Sequence, residues 1–307
     1  MHIVRTLQAL KPGWRKVCLA IGFFDGVHLG HQQIIRQTLA DARVHGARAL
    51  VVTFDRHPNT VVAPDHVPPL IYPLSQKLRT LGALGVDGIL LLRFDRKLSR
   101  QSGEQFVRRL VGGLGRVCSV CVGANFLFGH GRSGTVALLR RLGAELGFTV
   151  HGLAAVSLNG RRVSSTRIRQ LIRAGRLDAA SQMLGRPYAI CGRVVRGDRL
   201  GAQLGFPTAN LDVTGLVLPP RGVYVVQTVL DHRTWRGVMN VGVRPTLGLA
   251  RPSWRVEAHL LDFQGDLYGE ELELTLLAKL RGERRFASLE ALRRQIALDV
   301  ARARRDF

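Results

Sequence analysis

Cysteines and long apolar runs are scarce in this sequence of 307 residues. Its four cysteines are too few and too scattered for a disulfide framework, so we expect a reduced, cytoplasmic protein. The sequence has no stretch of about 18 uncharged apolar residues, and we therefore expect no membrane-spanning helix and no membrane partner. The first five residues also lack the basic and apolar regions of a secretory signal.

Acidic residues are also few, because 22 Asp and Glu stand against 45 Lys and Arg and the formal net charge is +23. The excess lies towards the N-terminus, where residues 1–186 carry 27 basic and 9 acidic side chains, whereas residues 187–307 carry 18 and 13. Such a balance favours an anionic partner, which could be nucleic acid, acidic lipid or a nucleotide phosphate. An arginine-rich solvated surface explains part of the excess, so charge alone does not select the partner.

Cys118 and Cys121 have the spacing of half a zinc site. Residues three apart in an extended strand point to opposite faces, and no second cysteine pair follows. We therefore predict that both are buried core residues and that no metal binds there.

Short β-rich runs alternate with helical patterns between residues 17 and 184. Strands are predicted at residues 17–24, 47–54, 88–94, 117–122 and 148–153, and helices at 32–44, near 76–84, at 103–110 and at 135–146. This alternation is typical of βαβ units, hence of a mostly parallel sheet covered on both faces. Ligands of such sheets bind beyond the carboxyl ends of the strands, where His31 and the segments 53–57 and 123–134 fall.

The pattern changes after residue 187 to short strand-like runs separated by Gly, Pro and Asn. Strands are predicted at residues 189–195, 222–230, 235–241, 255–261 and 271–277, followed by a helix at 288–304. This spacing indicates an antiparallel barrel or sandwich closed by one helix. We place the boundary at residues 184–187, which gives domains of residues 1–185 and 186–307.

The most informative segment is residues 22–31, where an apolar run gives way to glycines and two histidines before a helical pattern. A strand, a glycine-bearing turn and a helix N-terminus together form a common phosphate site. Beside such a helix start, the imidazoles of His28 and His31 could stabilise charge that develops at a phosphorus centre. Ordinary turn histidines and a two-ligand metal site are the alternatives, and the spacing differs from HExxH.

Two further segments support a nucleotide site. One is residues 53–58, and the other is residues 163–169, which read VSSTRIR. Ser164, Ser165 and Thr166 place three hydroxyls at a predicted helix start with arginines one turn later, which suits both capping and oligophosphate binding.

Together these segments resemble the nucleotidylyltransferase superfamily, with its HxGH and SSTxIR motifs. The runs GFFDGVHLGHQ and GANFLFGHGRSG are similar to those of the bacterial bifunctional riboflavin kinase/FMN adenylyltransferases, and this resemblance covers nearly the whole chain. It implies a Rossmann-like, nucleotidylyltransferase-like α/β domain with a parallel sheet, followed by an antiparallel β-barrel riboflavin kinase domain with a C-terminal helix. It also implies that the phosphate of FMN attacks the α-phosphorus of ATP, giving FAD and pyrophosphate, with Mg²⁺ shielding the triphosphate.

The resemblance assigns roles in adenylyl transfer residue by residue. His28 and His31 would stabilise the transition state, and Asn125, which stands where many relatives have Asp, would help to hold the nucleotide. The remaining ATP- and phosphate-binding residues that it implies are Gly22, Phe24, Asp25, Gly26, Arg161, Ser164, Ser165, Thr166 and Arg169.

In the second half, residues 204–210 read LGFPTAN and offer the hydroxyl of Thr208 and the amide oxygen of Asn210, hard ligands that Mg²⁺ prefers. Alone this segment would more often be a turn. The runs GRVVRGD, GVMNVGVRPT and VEAHLLDF around it are similar to riboflavin kinases, which transfer the γ-phosphoryl of ATP to the ribityl 5′-hydroxyl of riboflavin.

This second resemblance implies that Glu257 is the base, whereas the spacing alone, with apolar Val256 and Ala258 on either side, favours an exposed carboxylate. Thr208 and Asn210 would bind Mg²⁺ and phosphate. The other nucleotide- or flavin-binding residues that it implies are Gly197, Gly205, Pro207 and Arg244. Leu200 and Ala202 stand where relatives usually carry basic groups, which leaves the contacts of the glycine-rich flap open.

Two other functions were weighed. Residues 129–134 spell GxGxxG, but the predicted strand ends several residues earlier and no acidic residue closes the next strand, which disfavours a dinucleotide oxidoreductase. A basic RNA-binding or RNA-modifying factor with an OB-like barrel would need aromatic residues and a basic stripe along the barrel. The second half has few aromatic residues and no basic stripe. We therefore expect small-molecule partners, namely ATP, riboflavin and FMN, and no nucleic acid, while an oligomer remains possible.

Overall fold

The computed structural model describes residues 1–10, 14–198, 200–244 and 253–306. By its internal contacts the chain divides into two compact units. The first unit comprises Met1–Leu70 and Leu74–Arg167, and the second comprises Ile71–Pro73 and Ile168–Phe307. This division lies closer to the N-terminus than the boundary that we placed at residues 184–187.

Up to the end of the α/β pattern the chain contains eight strands and eight α-helices within the described ranges. The strands are β1 (His2–Val4), β2 (Lys16–Ile21), β3 (Arg48–Phe54), β4 (Gly88–Leu92), β5 (Arg116–Gly123), β6 (Thr149–Leu153), β7 (Ser157–Leu158) and β8 (Arg161–Arg162). The helices are α1 (Leu29–His45), α2 (Asn59–Val62), α3 (Leu74–Ala83), α4 (Arg96–Ser99), α5 (Gly103–Gly112), α6 (Val136–Leu146), α7 (Ser165–Arg173) and α8 (Leu177–Leu184). Helix α7 crosses the division between the units.

The first unit is built on a six-stranded sheet with the order β1-β4-β3-β2-β5-β6, in which every neighbouring pair is parallel. From β2 the chain adds β3 and β4 on one side and then returns to add β5 on the other. The strand order therefore reverses at β2, which places the ligand crevice at the carboxyl ends of β2 and β5. The predicted parallel-sheet architecture is confirmed.

Both faces of this sheet are covered, as the apolar runs predict. Leu19 and Leu50 belong to a buried cluster with residues of α5 and α6, whereas Ala20 and Val51 belong to another with residues of α1 and α3. Successive strand residues thus alternate between two cores, as the period of two requires.

The cysteines of β5 are buried, and this prediction is confirmed. Their predicted orientation is wrong, because Cys118 clusters with Ala42 and Cys121 clusters with Ile34, and both of these partners lie on α1. The pairing of β2 with β5 shifts register near Cys118, so the simple alternation of faces is interrupted there. Burial raises the pKa of the Cys121 thiol to about 12, which leaves it un-ionised at neutral pH.

Some predicted bounds are corrected by local geometry. Strand β2 ends at Ile21 rather than residue 24, because Phe24 has a left-handed backbone (φ 54°) and leads into a 3-10 turn at Asp25–Val27. Strand β4 ends at Leu92 rather than residue 94, because the N–H of Phe94 donates to the carboxylate of Asp55 at 2.9 Å instead of continuing a strand ladder.

The second unit contains a closed antiparallel barrel of six strands in the order β10-β13-β12-β11-β14-β9. Its elements are β9 (Ala189–Val195), α9 (Leu200–Gln203), β10 (Ala209–Leu211), β11 (Gly222–Leu230), β12 (Arg233–Arg244), β13 (Ser253–Leu260), β14 (Glu271–Arg281) and α10 (Leu289–Asp306). Ala303 and Val300 of α10 pack on Val223, Val225 and Val238 of the barrel. The predicted barrel with a C-terminal helix is confirmed, and β9 and β11 have the predicted bounds.

Among the described residues, no helix combines the length and the apolar character needed to cross a bilayer.

Candidate active sites

A cavity of about 360 Å³ lies at the carboxyl edge of the parallel sheet, and we call it the sheet-edge cavity. Its walls come from the segments that follow β2, β5 and β6 and from the chain that leads into α7. Of the predicted site residues, those that line it are Gly22, Phe24, His28, His31, Asn125 and Ser164. Folding therefore brings together three segments that are distant in sequence, at residues 21–34, 123–126 and 153–164.

The two histidines are arranged by the start of α1. His28 is the N-cap residue, and its Nδ1 accepts a hydrogen bond from the backbone N–H of His31 at 3.4 Å. The two rings stack with their centroids 3.6 Å apart, and the ring of Phe24 meets His31 edge-on at 5.2 Å. A Cβ at Gly30 would lie 3.3 Å from the His28 ring, so any side chain at this position would require that ring to shift slightly.

The turn before these histidines is held by hydrogen bonds to its backbone. The hydroxyl of Ser165 donates to the carbonyl of Asp25 at 3.0 Å, and that of Thr53 donates to the carbonyl of Phe23 at 3.1 Å. Ser165 thus supports the turn across 140 residues of sequence. The hydroxyl of Ser164 instead accepts from the N–H of Arg167 at 3.2 Å, as an N-terminal cap does.

Not every predicted residue reaches the sheet-edge cavity. Asp25 is buried within the turn, and Gly26 follows it with a left-handed backbone (φ 76°). Arg161 and Thr166 are exposed on β8 and α7, whereas Arg169 is only 8% exposed. Their predicted roles in phosphate binding stay predictions.

The sequence reasoning missed Arg162 and residues 153–156, which also line the sheet-edge cavity. Residues 153–156 could have been found, since they follow β6 at the carboxyl edge of the sheet, where the sequence pattern already places other loops. Arg162 gave no such signal, because it lies on a two-residue strand beside the chosen Arg161.

The GxGxxG segment has no dinucleotide-binding geometry. Its centre is a 3-10 turn at His130–Arg132, and Phe128 and Gly134 pair as an isolated antiparallel bridge. No glycine turn therefore joins β5 directly to α6, in agreement with the sequence analysis.

A second cavity, of about 290 Å³, opens on the barrel and is called the barrel cavity. It is bounded by α9, by the loop before β10, by one face of β12 and β13, and by the segment from β14 to α10. Thr208 and Glu257, both predicted from sequence, line it together. Leu200, where relatives were expected to carry a basic group, lines it as well.

The carboxylate of Glu257 is held by an arginine two residues away on the same strand. The guanidinium of Arg255 lies 2.9 Å from Glu257 Oε1 and 3.2 Å from Asp198 Oδ2, so it links β13 to the segment after β9. Burial raises the pKa of Glu257, and the positive charge of Arg255 opposes part of that rise. The raised pKa makes this carboxylate a stronger proton acceptor than an ordinary one.

Glu257 also has an amide on each side. In the strand register it is opposite Asn210 on β10 and opposite Asn240 on β12. Cross-strand partners point to the same face of a sheet, so the three side chains form a row of oxygen-bearing groups. Asn240 lines the barrel cavity and was missed, because a single Asn in a strand carries no distinctive pattern.

The oxygens of Thr208, Asn210 and Glu257 are of the hard type that Mg²⁺ prefers, although Asn210 is not among the residues that line the barrel cavity. No group of three or more His, Cys, Asp or Glu in the described part of the chain could hold a metal by itself. A magnesium ion here would therefore need substrate phosphate oxygens as further ligands, which is its usual mode in kinases.

Of the other predicted kinase residues, Gly197, Gly205 and Pro207 are not among those that line the barrel cavity. A Cβ at Gly197 would collide with the amide of Asn210, and Gly205 has a left-handed backbone (φ 89°), so both positions favour glycine. The carbonyl of Pro207 lies 2.8 Å from Nδ1 of His259, which lines the barrel cavity. Arg244 ends β12, and its side chain lies outside the described residues.

Comparisons with known proteins agree with this division of the chain. A family model described as FAD synthetase matches residues 10–167, and one described as riboflavin kinase matches residues 184–307. The bifunctional riboflavin kinase/FMN adenylyltransferase of Pseudomonas fluorescens is 43% identical over 305 residues, which cover 99% of this chain and 97% of that protein. The protein of the same name from Escherichia coli (strain K12) is 39% identical over 309 residues, covering 100% and 98% respectively.

A solved structure titled as a macrolide-efflux protein from Streptococcus pneumoniae has a similar fold, with a TM-score of 0.82 and 27% identity, and the match covers 99% of this chain and 98% of that one. The family matches do not support the RNA-binding alternative. They cover both units and confirm the resemblance seen in the motifs. The chain therefore belongs to the family of bifunctional riboflavin kinase/FMN adenylyltransferases.

Proposed function

We propose that the chain makes FMN from riboflavin and ATP in its C-terminal domain, residues 186–307, and converts FMN with a second ATP to FAD and pyrophosphate in its N-terminal domain, residues 1–185. The observation that carries this proposal is that His28, His31, Asn125 and Ser164 line one cavity whereas Thr208 and Glu257 line another, and each cavity lies within one compact unit. Each cavity also falls within the family model of the corresponding activity.

In adenylyl transfer no residue of the chain need form a covalent bond, because the FMN phosphate is itself the nucleophile. His28 and His31 would donate hydrogen bonds to the oxygens of the α-phosphate as charge develops on them, and the adjacent start of α1 would add its positive end. Asn125 and Ser164, which line the same cavity, would orient the nucleotide. The outer phosphates would be bound by Ser165, Thr166, Arg161 and Arg169.

In the kinase reaction Glu257 would accept the proton of the ribityl 5′-hydroxyl as that oxygen attacks the γ-phosphorus of ATP. Arg255 would keep the carboxylate ionised and correctly oriented, since it lies 2.9 Å from Oε1. Thr208 and Asn210 would hold Mg²⁺, which supplies charge neutralisation of the phosphates when bound. The segment with Gly197 and Gly205 would cover the nucleotide.

The deciding experiment incubates the purified chain with riboflavin, ATP and Mg²⁺ and separates the flavins by chromatography. We expect FMN to appear first and FAD to follow, with neither formed when ATP is omitted or when Mg²⁺ is chelated. The proposal is wrong if neither flavin nucleotide forms. If FMN forms without FAD even when FMN is supplied, the adenylyl-transfer half alone is wrong.

A further inference from the structure

Lys77 on α3 is a buried cation to which neither half of the proposed mechanism gives a role. Its side chain is only 4% exposed, whereas lysine almost never becomes fully buried unless its ammonium is paired. Transfer of a charge from water to a protein interior is costly, so a burial of this kind calls for compensating contacts.

Those contacts lie at the carboxyl ends of β2 and β3. The ammonium donates to the carbonyl of Phe54 at 2.8 Å and to the carbonyl of Phe23 at 3.3 Å, and it lies 3.5 Å from the hydroxyl of Thr53. It also lies 4.5 Å from the centre of the Phe23 ring, in a cation–π arrangement. A single side chain therefore joins the last residue of β3 to the turn that follows β2.

The charges around Lys77 agree with a protonated side chain at neutral pH. Burial lowers the pKa of the ammonium to about 8, and the negative charges of Asp25 and Asp55 oppose that shift. Asp25 belongs to the turn before His28, and Asp55 directly follows β3. Both carboxylates thus belong to the two segments whose carbonyls the ammonium binds.

The turn that Lys77 holds leads directly to the histidines. The carbonyl of Phe23 belongs to the peptide bond with Phe24, whose ring contacts His31 edge-on at 5.2 Å. A shift of this peptide would therefore move the wall of the sheet-edge cavity next to His31. Misplacement of reacting groups by about 1 Å can lower a rate about 100-fold.

We propose that Lys77 is a positioning residue for adenylyl transfer. Its ammonium sets the Phe23–Phe24 peptide against the end of β3 and so fixes the place of His31 relative to the α-phosphate. This inference rests on the proposed function of the first unit. It differs from a purely structural role, because misplacement of His31 would lower kcat for adenylyl transfer even in a fully folded variant.

The test compares Lys77→Met, which keeps the length of the side chain but removes its donors, with the unaltered chain. We expect kcat for FAD formation from supplied FMN to fall by about 10- to 100-fold, with a smaller change in the KM for ATP. We expect riboflavin kinase activity to stay unchanged. Because the carbonyls of Phe23 and Phe54 lose a donor, the melting temperature of the first unit should fall, so rates are measured where the variant is fully folded. Lys77→Arg, which keeps a cation with several N–H donors, should retain more FAD formation than Lys77→Met.

Lys97→Met is the matched control, because Lys97 is exposed on α4 and has no ion pair among the described residues. It should leave both activities unchanged. The inference is overturned if Lys77→Met forms FAD at the normal rate, or if its lower rate is fully explained by a smaller folded fraction of the first unit, which would show a purely structural role. Absence of FAD formation in the unaltered chain would instead overturn the proposed function.

Discussion

The two units present their reactive groups by different means. In the first unit the histidines stand at the start of a helix, and their positions depend on a turn with left-handed residues, Phe24 and Gly26. In the second unit Glu257 stands on a strand, and its position depends on strand register and on the side chain of Arg255. The first site should therefore respond most to changes of backbone and volume, and the second to changes of charge.

The largest expected effects come from two variants that should each lose one activity and keep the other. His31→Ala should lower FAD formation from FMN by about 10²- to 10³-fold, because a donor to the developing charge is lost. Glu257→Gln should lower FMN formation from riboflavin by about 10²- to 10⁴-fold, because the base is lost. Separate assays with riboflavin and with FMN should show that His31→Ala keeps its kinase activity and that Glu257→Gln keeps its FAD formation. Loss of both activities in either folded variant would refute independent sites.

The next effect concerns the stability of the second unit. Arg281 on β14 and Asp299 on α10 form an ion pair at 2.7 Å, with side chains only 13% and 8% exposed. Asp299→Ala leaves the arginine buried without its partner, so we expect a loss of about 3 kcal/mol of stability. Urea titrations that follow each activity should show a lower midpoint for the kinase and the usual midpoint for adenylyl transfer.

The control for this pair is Asp262→Ala, which removes the ion pair of Asp262 with Arg304 at the surface. Exposed ion pairs contribute little, so the kinase midpoint should barely change. If Asp299→Ala and Asp262→Ala lowered the urea midpoint of the kinase equally, burial would not explain the contribution of the Arg281–Asp299 pair.

A smaller effect would test whether the first site tolerates added side-chain volume beside its histidines. Gly30→Ala adds a Cβ 3.3 Å from the His28 ring, so we expect FAD formation to fall about tenfold by displacement of that ring. Gly112→Ala, at the end of α5 with open space around it, should change neither activity. Steady-state rates with FMN and with riboflavin would measure both variants. A normal rate for Gly30→Ala would show that the ring can move without consequence.

The smallest effect is a shift in pH dependence of the second site. Burial raises the pKa of Glu257 above the 4.5 of an ordinary carboxyl group. As the pH falls, the base is therefore protonated earlier, and kinase kcat/KM begins to fall at a higher pH than it would with an ordinary carboxyl group. Arg255→Gln removes the positive charge that opposes this rise, so the acid limb of the profile should move to still higher pH. A limb that stays in place or moves to lower pH would contradict the assignment of Glu257 as the base.

Much of the fold was predictable because it depends on local patterns. The alternation of apolar strands with helical segments indicated the parallel sheet, and the spacing of short strands after residue 187 indicated the barrel. Elements of two to four residues, such as β1, β7 and β10, were missed because they are too short to show a period. The orientation of Cys118 was missed because a register shift between strands leaves no trace in one strand's sequence.

By itself the sequence determined the two-part architecture and the residues at the start of α1, and it singled out Glu257 on β13, since periodicity, glycines and motifs act over a few neighbouring residues. Only the tertiary structure decided that Ser165 holds the turn at Asp25, that Arg162 rather than Arg161 lines the sheet-edge cavity, and that Lys77 joins two strand ends. The hydrogen bonds of Ser165 and Lys77 connect residues 23 to 140 apart in sequence. Their geometry arises when helices pack on the sheet, and no local pattern of residues encodes it.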